Sequence, residues 1–139
     1  MLIGTYQHNI DSKGRVIMPA RFREVLGEVF YATKGKDGTI AILSQEAWDE
    51  LGRKIAEQPS SRTIALNRFI YSTAAELRPD KQGRVLIPAS LREYAGLVDD
   101  VVINGAGSKV EIWDSKTWDE YNNALSDKDI YDIMDQLAL

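Results

Sequence analysis

The stretches DSKGRVIMPARFRE (Asp11–Glu24) and DKQGRVLIPASLRE (Asp80–Glu93) are two writings of one phrase. They lie 69 positions apart, and on that register Gly14/Gly83, Arg15/Arg84, Val16/Val85, Pro19/Pro88, Ala20/Ala89, Arg23/Arg92, Glu24/Glu93 and Gly27/Gly96 are identical. Further along, Trp48-Asp49-Glu50 returns as Trp118-Asp119-Glu120, now 70 positions apart, so the intervening segment has changed length by one residue. Self-similarity at a long fixed period marks repeated supersecondary units. The chain is a duplication.

Each unit reads alike. A strand leads in, over Ile3–Ile10 in the first unit and Thr73–Arg78 in the second. Asp-x-x-Gly then predicts a turn, because the carboxylate accepts from backbone amides just ahead of it and glycine takes the left-handed conformation. A hairpin with a glycine bulge is expected, its second strand carried by RVIM or RVLI. Pro19 and Pro88 remove a ladder donor, end that strand and suit the first turn of a helix. Phe22, Val25 and Leu26, like Leu91, Tyr94 and Ala95, follow at helical spacing, and Gly27 and Gly96 stop each short helix.

A second hairpin is expected to turn at Lys36-Asp37-Gly38 in one unit and within Asn104–Ser108 in the other. An amphipathic helix follows, capped by Ser44 or by Asp114 or Ser115. Its apolar stripes are Trp48, Leu51, Ile55 and Trp118, Tyr121, Leu125. Two helices are additional. Ser60–Tyr71 bridges the units after Pro59, and Ser126–Leu139 carries Ile130, Ile133, Met134 and Leu137 at i, i+3, i+4, i+7. The expected organisation is a first module at 1–58, a bridging helix at 59–71, a second module at 72–125 and a C-terminal amphipathic helix at 126–139. Four short strands are a marginal sheet by themselves. The reading is therefore α+β: two hairpin modules closing on one another about a pseudo-twofold axis and sharing a core.

Composition narrows the function. Of 139 residues, 44% are hydrophobic and 27% charged, which suits an ordinary globular protein. No apolar run approaches the roughly 20 residues of a membrane span, the N-terminus lacks a signal-peptide pattern, and there is no cysteine. A cytoplasmic protein without disulfides is expected. The net charge of −4 hides a segregation. Lys13, Arg15, Arg21 and Arg23 stand against Asp11 alone, and Arg78, Lys81, Arg84 and Arg92 against Asp80. Asp127, Asp129, Asp132 and Asp135 gather in the tail. A phosphate backbone responds to such local patches and not to the sum.

The pattern D-x-x-G-R-V-x-x-P-x-x-x-R, present at Asp11–Arg23 and Asp80–Arg92, resembles the AbrB-like swapped-hairpin DNA-binding modules. Two copies in one chain, GTYQHNIDSKGR at the N-terminus and a Trp-containing helix in each unit resemble the MraZ family over nearly the whole chain up to Leu125. The resemblance implies a double swapped-hairpin β-barrel and ring-like homo-oligomers. It also implies a cytoplasmic, nucleoid-associated regulator of transcription acting on repeated promoter elements of the bacterial division and cell-wall gene cluster. Two departures stand out. Pro79 precedes the second Asp in place of an aliphatic residue, and Ser90 stands where the first unit has Arg21.

The residues make their own case for double-stranded DNA. A two-stranded ribbon fits the major groove, and an arginine fork reads guanine O6 and N7. Arg15 and Arg84 are the expected base readers, with Lys13, Lys81 and Arg21 on phosphates. Gly14 and Gly83 permit close backbone approach, while Asp11 and Asp80 shape the turn and hold the neighbouring arginine. Arg23 and Arg92 are expected to pair with nearby acids. An enzyme is not expected: His8 stands alone in a strand, and the serines sit where caps and turns explain them. NGAGS opens no helix, so it is not a phosphate loop. No cofactor, metal or small-molecule substrate is expected. The rival reading is an antitoxin-like protein-interaction module on the same hairpin fold.

Overall fold

A computed structural model describes residues 1–139. In chain order the elements are β1 (Leu2–Asn9), β2 (Arg15–Ile17), α1 (Ala20–Leu26), β3 (Phe30–Lys34), β4 (Ile40–Ser44), α2 (Gln45–Ala56) and α3 (Ser60–Tyr71). The second repeat follows with β5 (Ala75–Leu77), β6 (Arg84–Leu86), α4 (Ala89–Ala95), β7 (Asp100–Gly107), β8 (Val110–Asp114), α5 (Ser115–Ala124) and α6 (Asp127–Gln136). The architecture is mixed α+β, with antiparallel sheets and six α-helices.

The turns form where the sequence places them, but the strands they join do not pair with each other. β1 runs antiparallel to β7, from Leu2 opposite Gly107 to Asn9 opposite Asp100. β5 pairs with β3, and β2 pairs with β6. Each strand flanking an Asp-x-x-Gly turn thus finds its partner in the other repeat. Propensity marks a strand and leaves its partner open, and here the exchange buries both repeats' apolar faces together. Val16 and Val85 face each other at the centre of the β2–β6 ribbon, each 1% exposed. The two repeats also meet where Ala41 of β4 stands opposite Glu111 of β8.

The main sheet runs β1-β7-β8-β4-β3-β5, with β2–β6 as a separate ribbon. Its end strands are not bonded to each other, so no closed barrel forms. β5 has only three residues, and the ribbon covers the core as its own layer. Val16, Val85, Met18 and Ile87 join Phe30, Ile40, Ile42 and Ile103 in one buried cluster.

Several local expectations are refined. Ser44 caps α2 by accepting from the Ala47 amide at 3.2 Å, and Asp114 caps α5 through Thr117. Val25 is exposed, while Phe22 and Leu26 of the same helix are buried. Only these two positions of the seven-residue helix are buried. Asn104–Gly107 is strand and not turn, because β1 pairs along it to Gly107. Gly105 is required there, since a Cβ would lie 2.7 Å from the backbone of Leu2 and Ile3. Trp48 stacks on Tyr31 with 5.0 Å between centroids and Ile55 is buried, whereas Tyr121 and Leu125 are exposed. No helix is long and apolar enough to cross a membrane.

Candidate nucleic-acid interface

The ribbon's strand alternation decides which side chains face outward. Along β2, Val16 points into the core, so Arg15 and Ile17 point away; along β6, Val85 points in, and Arg84 and Leu86 point away. Arg15 stands opposite Leu86 and Ile17 opposite Arg84. The outer face of the ribbon therefore presents two arginines and two aliphatic residues in a twofold pattern. Ile17 is 42% and Leu86 57% exposed. Sequence reading passed over this pair, although hydrophobic residues at the outward phase of a two-stranded ribbon carried the signal.

Each arginine is held by its own turn. The Asp11 carboxylate accepts through Oδ1 from the amides of Lys13 and Arg15, each at 2.9 Å, and through Oδ2 from Arg15 Nε at 2.7 Å. Asp80 repeats this with the amides of Gln82 and Arg84 at 2.9 Å and with Arg84 Nε at 2.8 Å. The backbone closes the turns in the same way, with Gly14 and Gly83 donating to Asp11 and Asp80 carbonyls at 3.0 Å. The Arg15 and Arg84 amides, ahead of burial acting the other way and then the guanidinium hydrogen bonds, hold both aspartates below the usual carboxylate range. In each guanidinium only Nε is engaged within the chain, so both terminal nitrogens remain for an outside acceptor.

The arginines of α1 and α4 have a different task from the one expected. Arg23 and Arg92 pair with no acid. Arg23 Nε donates to the Met18 carbonyl at 3.0 Å, and Arg92 donates to the Ile87 carbonyl. Both carbonyls lie at the ribbon's end, where proline follows and the ladder stops, so they need a donor. Each guanidinium also lies under the other repeat's turn. A Cβ at Gly14 (φ +86) would meet Arg92, and one at Gly83 (φ +78) would lie 2.9 Å from Arg23. Glycine here serves its left-handed backbone and this close approach from inside the protein.

Lys13, Lys81 and Arg21 are exposed and make no ion pair in the chain. The two lysines sit one position apart in otherwise matched turns, with Gln82 corresponding to Lys13. A polar cleft of about 640 Å³ beside the ribbon is lined by Arg23, Glu24, Glu28, Arg78, Pro79 and Asp80 among others. Its charges are mixed, and it lacks the apolar walls of a small-molecule pocket. No group of three or more His, Cys, Asp or Glu stands close enough to hold a metal ion.

Tandem repeats that exchange strands and present a matched pair of arginine turns define a class of two-module, swapped-strand protein. The family model described as "MraZ protein, putative antitoxin-like" matches the chain twice, over residues 1–67 and 70–138. Relatives carrying the description transcriptional regulator MraZ agree. The chain is 52% identical to one from Heliobacterium modesticaldum over 124 residues, covering 88% of this chain and 87% of that protein. It is 45% identical to one from a Thermoanaerobacter species over an alignment of 143 positions, covering the whole of both. It is 48% identical to one from Desulforamulus reducens, again over 88% and 87%. The chain belongs to the MraZ family, a family of transcriptional regulators and not of enzymes.

Proposed function

We propose that the chain is a sequence-specific DNA-binding regulator that sets the outer face of the β2–β6 ribbon into the major groove of short repeated promoter elements. The observation that carries this is the state of Arg15 and Arg84. Their Nε atoms are fixed by Asp11 and Asp80, and their terminal nitrogens have no hydrogen-bond partner within the chain. A fork whose orientation is already set loses little freedom on docking, and each guanine so read contributes about 1–3 kcal/mol of discrimination. Ile17 and Leu86 supply apolar surface between the forks, suited to thymine methyl groups. Lys13, Lys81 and Arg21 take phosphates, which position without specifying.

The expected division into modules at 1–58 and 72–125, with helices at 59–71 and 126–139, fits this use, because each module brings one arginine turn to a shared ribbon. The crossed pairing of β1, β2, β5 and β6 supports the swapped-hairpin class, with an open sheet in place of a closed barrel. One ribbon is a small footprint for specific recognition. Several copies in a ring-like homo-oligomer would engage repeated elements together and raise avidity. The family resemblance supports a reading in which that action is in the cytoplasm, at the nucleoid, on the promoter of the division and cell-wall gene cluster.

The test is fluorescence anisotropy with promoter DNA carrying G-containing repeats, against scrambled DNA. The chain should bind the repeats at least 100-fold more tightly, and Arg15→Ala with Arg84→Ala should abolish that preference while circular dichroism is unchanged. Equal binding of both DNAs by the unaltered chain would reject the reading. It would favour the antitoxin-like alternative that the family description also names.

A further inference from the structure

α6 has no buried residue. Ile130, Ile133, Met134 and Leu137 lie on one face and are between 39% and 64% exposed. At 100° per residue, Asp127 and Asp129 flank that face on its two sides, with Asp132 and Asp135 further round. None of the four aspartates is in an ion pair. A ten-residue helix with such a face is marginal alone in water and is stabilised chiefly by packing.

A matching surface lies elsewhere on the chain. A groove of about 540 Å³ runs between α2, α3 and the β3–β4 hairpin, with Leu43, Leu51, Leu66 and Phe69 in its floor. Leu66 and Phe69 remain 42% and 41% exposed. Its rim is Lys34, Lys36, Lys54 and Lys109. Lys34 lies 5.3 Å from the Phe69 ring centre, and none of the four is ion-paired within the chain. The one acid in the groove, Glu50, is already taken by Arg53 at 2.6 Å. An apolar floor with a free cationic rim is complementary to an apolar helix face with free acidic flanks.

We propose that α6 of one copy docks in this groove of the next, with Asp127 and Asp129 meeting the lysine rim and Ile130, Ile133 and Met134 entering the floor. The proposal rests on the homo-oligomer reading above and names the surface that builds it. The contact is heterologous, since helix and groove are different patches of the same chain. Such contacts propagate head to tail and close into a ring when the rotation allows. They leave the β2–β6 ribbon free.

The experiment is multi-angle light scattering on three full-length variants and the unaltered chain. Asp127→Lys with Asp129→Lys, and separately Lys54→Glu with Lys109→Glu, should each lose the assembled species at a concentration where the unaltered chain holds it. All four changes in one chain restore opposite signs and should restore assembly. Because the chain has no cysteine, Leu66→Cys with Ile133→Cys adds a second readout, and oxidation should give a ladder of linked chains. If both reversed pairs assemble like the unaltered chain, the docking fails while the homo-oligomer stands. A four-change chain that stays apart, or a disulfide formed only within single chains, also overturns it. A monomeric unaltered chain overturns both readings.

Discussion

α3 and α6 stand at corresponding places in the two repeats, each following the capped helix, and they have opposite surroundings. α3 buries Thr63, receives the Thr33 hydroxyl on the Ile70 carbonyl at 2.6 Å and sets Tyr71 edge-on against Trp48. α6 buries nothing. The two arginine turns, by contrast, are alike to within 0.1 Å in their Asp–Arg contacts. The difference follows from what each part packs against. Arg92 fills the space under Gly14 and Arg23 the space under Gly83, so a change in one turn is felt in the other. The helices that follow the sheet carry no such mutual constraint.

The largest effect expected from probing the unequal parts is at the glycines of the second hairpins. Gly35 and Gly105 sit one register step apart in these hairpins, since Lys34 pairs with Ile40 as Gly105 pairs with Val110, and β1 runs eight residues along β7 while β5 reaches only Ala32 of β3. A Cβ at Gly105 therefore strikes backbone at 2.7 Å, whereas one at Gly35 strikes a single side-chain atom, the Thr39 hydroxyl, at 2.6 Å. Gly105→Ala should cost about 3 kcal/mol and Gly35→Ala about 1 kcal/mol. Urea unfolding of the two variants measures the contrast. Equal losses would mean that the longer β1 does not distinguish the repeats.

Next comes an inequality between the two turns themselves. Arg21 is exposed on α1 of the first repeat, and its counterpart on α4 is Ser90. Arg15→Ala should therefore weaken binding to the repeat DNA more than Arg84→Ala, each within about 1–3 kcal/mol. Replacing Arg21 with Ser should bring the two closer to parity. Anisotropy titrations at one salt concentration settle the order.

What was legible in the chain was what is decided locally. Asp-x-x-Gly fixes a turn through three hydrogen bonds within five residues, and Ser44 and Pro19 mark helix starts by chemistry that needs no distant partner. Pairing was not legible. RVI reads as a strand whichever strand lies beside it, and only the burial of Val16 against Val85 decides. For the same reason Arg23 and Arg92 were expected to find acids. Their carbonyl acceptors exist only because the ribbon ends at a proline, and their place under Gly83 and Gly14 exists only because the repeats cross. Among the candidate site residues, the turn arginines and lysines were visible as charge. Ile17 and Leu86 were read only as part of the second strand, since outward phase is known only once the ribbon has a core side.

A smaller effect separates the lysines. Lys13→Ala should lower affinity for repeat and scrambled DNA alike and reduce the salt slope by about one unit, the signature of a single lost phosphate contact. Lys81 sits one position earlier in its turn, so Lys81→Ala sharpens the comparison by reporting whether that position reaches a phosphate at all. Binding measured across a salt series reads both slopes.

The smallest effect is on stability in acid, and here the turns should behave as equals. Asp11 and Asp80 have folded-state pKa values lowered by the backbone amides of Arg15 and Arg84, with the guanidinium bonds adding to this. An unfolded aspartate titrates near about 3.9. Between that value and the lower folded one, the unfolded chain binds more protons, so stability rises with pH across this window. Their contribution is therefore fully present above about pH 5 and is lost as pH falls through the folded values. Glu50 is lowered too, chiefly by its side-chain bond from Arg53, so the acid loss of the unaltered chain is not theirs alone. Asp11→Asn and Asp80→Asn isolate them. Each variant should be less stable than the unaltered chain at pH 7, and the gap should narrow as pH falls toward 3. Both gaps should narrow over the same range, because the two carboxylates accept the same three bonds. Urea midpoints at several pH values between 3 and 7 test this, and a gap that stays constant for either variant would show that its carboxylate does not carry the turn.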